Sequence, residues 1–335
     1  MKKFLLTFLI SLVSLIAIGG VIFVSYLSGW GATPDSVELE TPPSMVHSSF
    51  DWQPHPRRNL ELPDVENPIF NPLPEPEPCR YELMTAELKE FMTQFGDTVS
   101  VHFENLESGF TFAHYGERVF FGASATKAPF AFYIYMQAER GATNLNAIMT
   151  FTESDFWEGS GIIRHNYEYG ATFSQRRLLH LMLSPSDNIA TRILRRHHGL
   201  NGYRAFIEEL GGNPWYIQNL TYSYLSANEA GFYLREFYRY IVSDSLFGHE
   251  FKANLMANRY PFIIADYPLA SKSGWAANFG GAWHDMAIIF APSPYSLALL
   301  SSLNGNTTAD RDVYNSISMF MQDFNSRWFY QDALQ

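Results

Sequence analysis

Eleven of the chain's eighteen prolines lie between Pro34 and Pro78, and only seven serve the rest of the sequence. A stretch so rich in proline lacks the run of backbone N–H donors that helices and central strands require. It is read as a linker, residues 28–80. The same stretch carries nine acidic residues, from Asp35 to Glu77, against Arg57 and Arg58, a net of −7 out of the chain's −11. The acidity is thus mainly a tether property, and it argues against nucleic acid as a partner. Folding is left to residues 81–335, and a hydrophobic content of 47% is ample for a sizeable core there.

Ahead of the linker, Met1-Lys2-Lys3 is followed by a stretch from Phe4 to Leu27 without one charge. An export-signal core runs to about 7 to 15 apolar residues, whereas crossing a bilayer takes about 20. The stretch is therefore read as a transmembrane signal-anchor at 4–27. Lysines before it and acidic residues after it place residues 1–3 in the cytoplasm and everything from Ser28 outside. Small residues at Gly29, Gly31 and Ala32 leave a cleaved signal peptide open as the alternative. Cys79 is the only cysteine, so no internal disulfide forms, and the thiol is either unimportant or pairs with another chain. No cysteine cluster offers a metal site; His197 and His198 point about 100° apart on a basic helical stretch and read as solvated surface. No metal or cofactor is expected.

After the linker, Leu83, Leu88, Phe91 and Phe95 recur at helical spacing up to Gly96. Alternation at Val99, Val101 and Phe103, a turn at Glu107-Ser108-Gly109, and renewed alternation at Phe110 and Phe112 predict a hairpin. A helix is expected from Ala125 to about Arg140. Residues 172–241 are mainly helical in pattern, broken at Gly199, at Gly211-Gly212-Asn213-Pro214 and in the loop that follows. Strand character returns in "LASKSGW", "HDMAIIFA" and "YSLALLSSL", and helical spacing returns from Ala309 to Trp328. Strands at both ends with helices between them predict an α/β domain whose antiparallel sheet is assembled from both ends of the chain, with the helical block packed against it.

Three short motifs stand on these elements. Ser124 lies one turn ahead of Lys127 in "GASATKAPF", so both heads share a helix face. A lysine among alanines, a proline and a phenylalanine loses proton affinity, and a neutral amine beside a hydroxyl serves as its general base. Ser186-Asp187-Asn188 follows in the helical block, and Lys272-Ser273-Gly274 follows on a predicted strand. This order of motifs resembles the active-site-serine β-lactamase and D,D-peptidase superfamily, in its class A-like branch, over about residues 82 to 328.

The resemblance implies a class A β-lactamase-like fold and acyl transfer through an ester on Ser124. It implies Lys127 as base and Ser186 as relay of the proton to the leaving nitrogen. Asn188 would orient the substrate's amide side chain, with Asp187 a buried anchor. Lys272 and Ser273 suit a substrate carboxylate, and Gly274 lets the strand approach the substrate. The backbone N–H groups of Ser124 and Trp275 would form the oxyanion hole. The expected partner is a small-molecule β-lactam or a peptidoglycan stem peptide outside a bacterial membrane. Two alternatives stay open: a D-Ala-D-Ala carboxypeptidase, and a sensor or binding protein without turnover. With three residues ahead of the apolar stretch, a sensor would need a partner protein, whose identity is unknown. The chain departs from the class A pattern in one respect. Between Glu208-Glu209 and Glu229 there is no acidic residue to activate the deacylating water. Glu229 lies three residues after Ser226, the spacing of a capping box, and Glu208 and Glu209 read as solvated.

Overall fold

A computed structural model describes residues 78–218, 223–277 and 281–330. The expected anchor at 4–27 and the linker as far as residue 77 lie outside the described residues. Among the described residues, no helix is long and apolar enough to cross a membrane.

The chain forms α1 (Pro78–Thr93), β1 (Val99–Asn105), β2 (Thr111–His114) and β3 (Phe120–Phe121), then α2 (Lys127–Glu139), β4 (Ile148–Thr150), α3 (Ile163–Asn166) and β5 (Thr172–Ser174). It continues with α4 (Gln175–Leu183), α5 (Asn188–His198), α6 (Asn201–Leu210), β6 (Tyr224–Leu225), α7 (Ala227–Ile241) and α8 (Leu246–Met256). It ends with β7 (Leu269–Ala276), β8 (Ala282–Ile289), β9 (Tyr295–Ser301) and α9 (Thr308–Asn325). Helix α1 opens at Pro78, inside the segment assigned to the linker. Proline is tolerated there because a helix's first N–H groups have no partner within the helix.

Five strands make one antiparallel sheet in the order β2-β1-β9-β8-β7, so the two ends of the domain meet at the β1–β9 seam. The register Phe103↔Phe112 agrees with the hairpin expected from the sequence. Both faces of the sheet are covered. Met286, Ile288, Ala298 and Leu300 join the core of the helical block, whereas Trp283, Ala287, Ile289, Leu297 and Leu299 pack with residues of α1 and α9. Double coverage explains why every residue of β1, β8 and β9 is buried, including His102 and Glu104, whose polar character suggests a wet face.

Two details of the sequence pattern are corrected. Leu83 is 56% exposed; the inward stripe of α1 is Met84, Leu88 and Met92, spaced by four, with Phe91 stacked on Phe320 across α9. His198 is not solvated surface: its ring lies against Phe130 and Tyr133, and its Nε2 is 2.9 Å from Gln175 Oε1. Helix α8 had no signal strong enough to be expected, because its apolar residues are not confined to one stripe and Gly248 interrupts its first turns.

Candidate active site

Ser124 stands in a single 3₁₀ turn, Ala123–Thr126, that precedes α2, so the serine comes earlier than the α-helical start the sequence suggests. In a 3₁₀ turn the side chains at i and i+3 eclipse, which turns Ser124 and Lys127 to the same side. Ala123 enters this turn at φ +44°, a left-handed conformation that alanine rarely adopts. Ser124 is partly exposed, whereas Lys127 is buried, only 5% exposed.

The Lys127 amine meets three atoms: the Ser186 carbonyl oxygen at 2.6 Å, the Ser186 hydroxyl at 3.2 Å and Asn188 Oδ1 at 2.8 Å. Burial, and then the positive charge of Lys272, holds its proton affinity well below that of an ordinary lysine. A neutral amine has two N–H groups and one lone pair. The two closest partners are pure acceptors and take the N–H groups. The lone pair is then left for a hydroxyl, and that of Ser186 lies 3.2 Å away. This is the arrangement a general base requires.

Asp187 fixes the second motif. It caps α5, its Oδ1 accepting from Ile189 N at 2.9 Å and Ala190 N at 3.0 Å, while Oδ2 accepts from Ile162 N at 2.6 Å and Ile163 N at 2.8 Å. With four N–H donors it is an anchor, as the sequence suggests. The segment it holds went unnoticed in the sequence. Asn188 Nδ2 donates to Glu158 O at 2.8 Å and Asn188 N to Ser160 O at 3.0 Å, and Ser160 lines the cleft. Its signal is the pair Gly159 and Gly161, at φ +99° and +126°; a Cβ at Gly161 would fall 2.3 Å from the Asp187 carboxylate.

The third motif lies on β7, the edge strand of the sheet. Lys272 is only 1% exposed, and burial lowers its pKa to about 8, opposed by the charge of Asp285; its amine donates to Ser273 O at 2.9 Å. Ser273 points into the cleft. At Gly274 a Cβ would lie 2.6 Å from Ala125 N and 2.9 Å from Ser124 N. What glycine makes room for is therefore the serine turn itself, rather than the substrate alone, and the two backbones close one side of the site. Trp275 follows on the same edge, half exposed, with Nε1 donating to Asn304 O at 2.8 Å. Opposite Gly274 stands His284, buried and neutral, with Nε2 2.9 Å from Phe121 O and Nδ1 accepting from Ser301 N.

The cleft between these motifs has a volume of about 540 Å³ and is open to solvent. Glu229 does not contribute to it. Ser226 caps α7 by accepting from Glu229 N at 3.1 Å, but the other half of the expected capping box is not made: Glu229 Oε1 accepts from Asn213 N at 3.1 Å, and the carboxyl bonds Tyr233. Glu208 and Glu209 are exposed, Glu209 paired with Arg140. Among the described residues there is no cluster of His, Cys, Asp and Glu suited to a metal ion.

Solved structures share this fold. A β-lactamase from Sphaerobacter thermophilus superposes with a TM-score of 0.59 at 19% identity, covering 73% of this chain and 97% of that one. A β-lactamase from Chitinophaga pinensis gives 0.61 at 21% identity over 72% and 98%. PBP-A gives 0.64 at 17% identity over 73% and 96%. No curated protein matches the sequence. The family model described as "Beta-lactamase enzyme family" matches residues 83–322, most of the chain and all three motifs, and the chain belongs to that family.

Proposed function

We propose that the protein is a membrane-anchored, extracytoplasmic serine hydrolase that transfers acyl groups from β-lactams through an ester on Ser124. The observation that carries this reading is the contact set of Lys127, a buried amine with its N–H groups directed to Ser186 O and Asn188 Oδ1 and its lone pair available to a hydroxyl. Ser124 attacks the amide carbonyl and passes its proton to Lys127. The backbone N–H groups of Ser124 and Trp275 hold the oxygen that becomes negative. Ser186 returns the proton to the leaving nitrogen, and Lys272 and Ser273 hold the substrate carboxylate. The chain's anchor is the uncharged stretch 4–27.

A second reading, hydrolysis of peptidoglycan stem peptides ending in a D-amino acid, is favoured by the missing acid between Glu209 and Glu229. The fold is also that of PBP-A, a point mutant of which is known as an acyl-enzyme with penicillin G. Labelled penicillin tests the common step. The full chain should acquire a covalent label that Ser124→Ala abolishes; a label that survives the substitution, or none in the unmodified chain, would refute an ester on Ser124.

A further inference from the structure

A second cavity lies at the far end of the helices that carry the site. Helix α2 starts at Lys127 and α5 at Asn188, whose side chains meet at 2.8 Å. Ten residues on, about 15 Å along each axis, Gln137 and His198 line a cavity of about 320 Å³ with Tyr133, Thr143, Met149 and Gln175. Ile148 and His197 stand exposed at its rim. Gln175, which opens α4, is fully buried and is the fixed hub of the cavity. Its Oε1 accepts from His198 Nε2 at 2.9 Å, and its Nε2 donates to Thr143 Oγ1 at 3.2 Å. Burial keeps His198 neutral, its pKa lowered to about 4, so Nδ1 carries a lone pair. Tyr133 is 5% exposed, and its hydroxyl, given room by the lack of a side chain at Gly202, has no hydrogen-bond partner among the described residues. The side-chain amide of Gln137 has none either. Buried polar groups are ordinarily bonded, so a wall that holds them unpaired is prepared for a ligand.

We infer that this cavity is a binding site for a neutral sugar of one or two pyranose rings, separate from the catalytic cleft. Its volume falls in the range of small-molecule sites. No Asp, Glu, Lys or Arg lines it, so an ionic ligand would give up its hydration and find no countercharge. A hydrocarbon would cover Tyr133, Gln137 and Thr143 without satisfying them. A pyranose meets both conditions: the hydroxyls around its edge donate and accept, and its C–H face covers the apolar surface of Met149 and Ile148. An acetamido substituent adds an amide for the two glutamines and a methyl group for that apolar wall. Ser124 precedes α2 and the cavity lies toward its other end, so the sugar is not the group that is acylated. The cavity holds the protein on a glycan whether or not the cleft is occupied.

The test titrates the full chain, in a detergent without sugar headgroups, with N-acetylglucosamine and its β-1,4-linked dimer, and follows binding by ligand-observed NMR. Both should bind, the single ring with a Kd on the order of 1 mM, as suits so small a ligand. Glucuronate, which carries a charge, should bind about tenfold more weakly or worse. Tyr133→Phe and Gln137→Ala should each weaken binding of the acetamido sugar about three- to tenfold, the worth of one hydrogen bond. Melting temperature and penicillin labelling should stay as they are in both variants, and a penicillin adduct should leave sugar binding intact. Absence of binding, equal binding of glucuronate, or an affinity that neither substitution lowers would overturn the site. So would sugar binding that is lost when the cleft is acylated, or that falls only together with the melting temperature.

Discussion

Lys127 and Ser186 meet twice, the amine lying 2.6 Å from the serine's carbonyl oxygen and 3.2 Å from its hydroxyl. Both contacts depend on the backbone of Ser186, which sits at φ +58° in the left-handed region. Such a conformation costs on the order of 1 kcal/mol or more and persists only where its neighbours enforce it. Here Asp187, with its four N–H donors, provides that enforcement. The strain turns carbonyl and hydroxyl toward the same amine.

Ser186→Ala removes the hydroxyl and keeps the backbone. If Ser186 relays the proton, acylation by penicillin should slow by about 10²- to 10⁴-fold, with little change in melting temperature. Ser186→Gly should be equally slow and melt no lower than the alanine variant, since glycine adopts positive φ freely. A large loss of stability with an unchanged acylation rate would reduce the hydroxyl to a packing role.

The two lysines predict a bell-shaped pH dependence. The proposed acylation requires Lys127 neutral, so the rate should rise as Lys127 loses its proton, well below the ordinary lysine range. It also requires Lys272 charged, so the rate should fall again as the pH passes about 8. Lys272→Ala removes a positive neighbour, Lys127 then holds its proton to higher pH, and the acid limb should move upward. An acid limb that stays in place would show that the two amines do not sense each other.

The motifs were legible in the sequence because each is local: Ser124 with Lys127, Ser186 to Asn188, and Lys272 to Gly274 lie within single turns or one strand. Their meeting was legible only through their order along the chain. What escaped is what depends on long-range contact. Nothing near Ser160 in the sequence says that Asp187 and Asn188 hold its segment beside the cleft. The alternation of β1 gave the strand and not its surroundings, because His102 and Glu104 are buried under α7, where Arg235 pairs with Glu104 at 2.7 Å. The half-made capping box at Glu229 is a similar case, its carboxylate drawn away by Asn213 and Tyr233.

Gly274→Ala should disable the site through backbone collision. The added methyl group would lie 2.6 Å from Ala125 N, a backbone atom with little freedom to move. Overpacking of this kind costs about 1 to 3 kcal/mol, read as a lower melting temperature, and the displaced serine turn should lose penicillin labelling. Normal labelling by the alanine variant would mean that the edge strand and the turn are less tightly coupled than their geometry requires.

Acid should unfold the domain through its buried histidines. Burial lowers His102 and His284 from 6.5 to about 4. Between those values the unfolded chain binds protons that the folded chain refuses, so stability is complete above about pH 6.5, falls as the pH drops to about 4, and levels off below that, where the folded rings also take up protons. Each fully buried ring contributes a few kcal/mol to that fall. His284→Asn should flatten the dependence of melting temperature on pH across this window; an equally steep dependence would assign the acid sensitivity to other groups.

In the proposed acyl transfer, release of the acyl group is the step the site serves least well. Hydrolysis of a Ser124 ester requires a water deprotonated beside it, and a positioned base contributes about 10²- to 10⁴-fold. No acid lies between Glu209 and Glu229 in the sequence, and Glu229 is engaged by Asn213 N and Tyr233. The remaining base is Lys127, with Ser186 acting through it. Penicillin should therefore acylate Ser124 readily and leave slowly, giving a covalent adduct that mass spectrometry still finds minutes after mixing. A peptide ending in D-Ala-D-Ala, whose smaller acyl group leaves the path of water open, should turn over faster than the antibiotic. Glu229→Gln should lower stability without changing the rate of release. Rapid destruction of penicillin with no detectable adduct would show that another water-activating group reaches the ester, and slower release in Glu229→Gln would identify it.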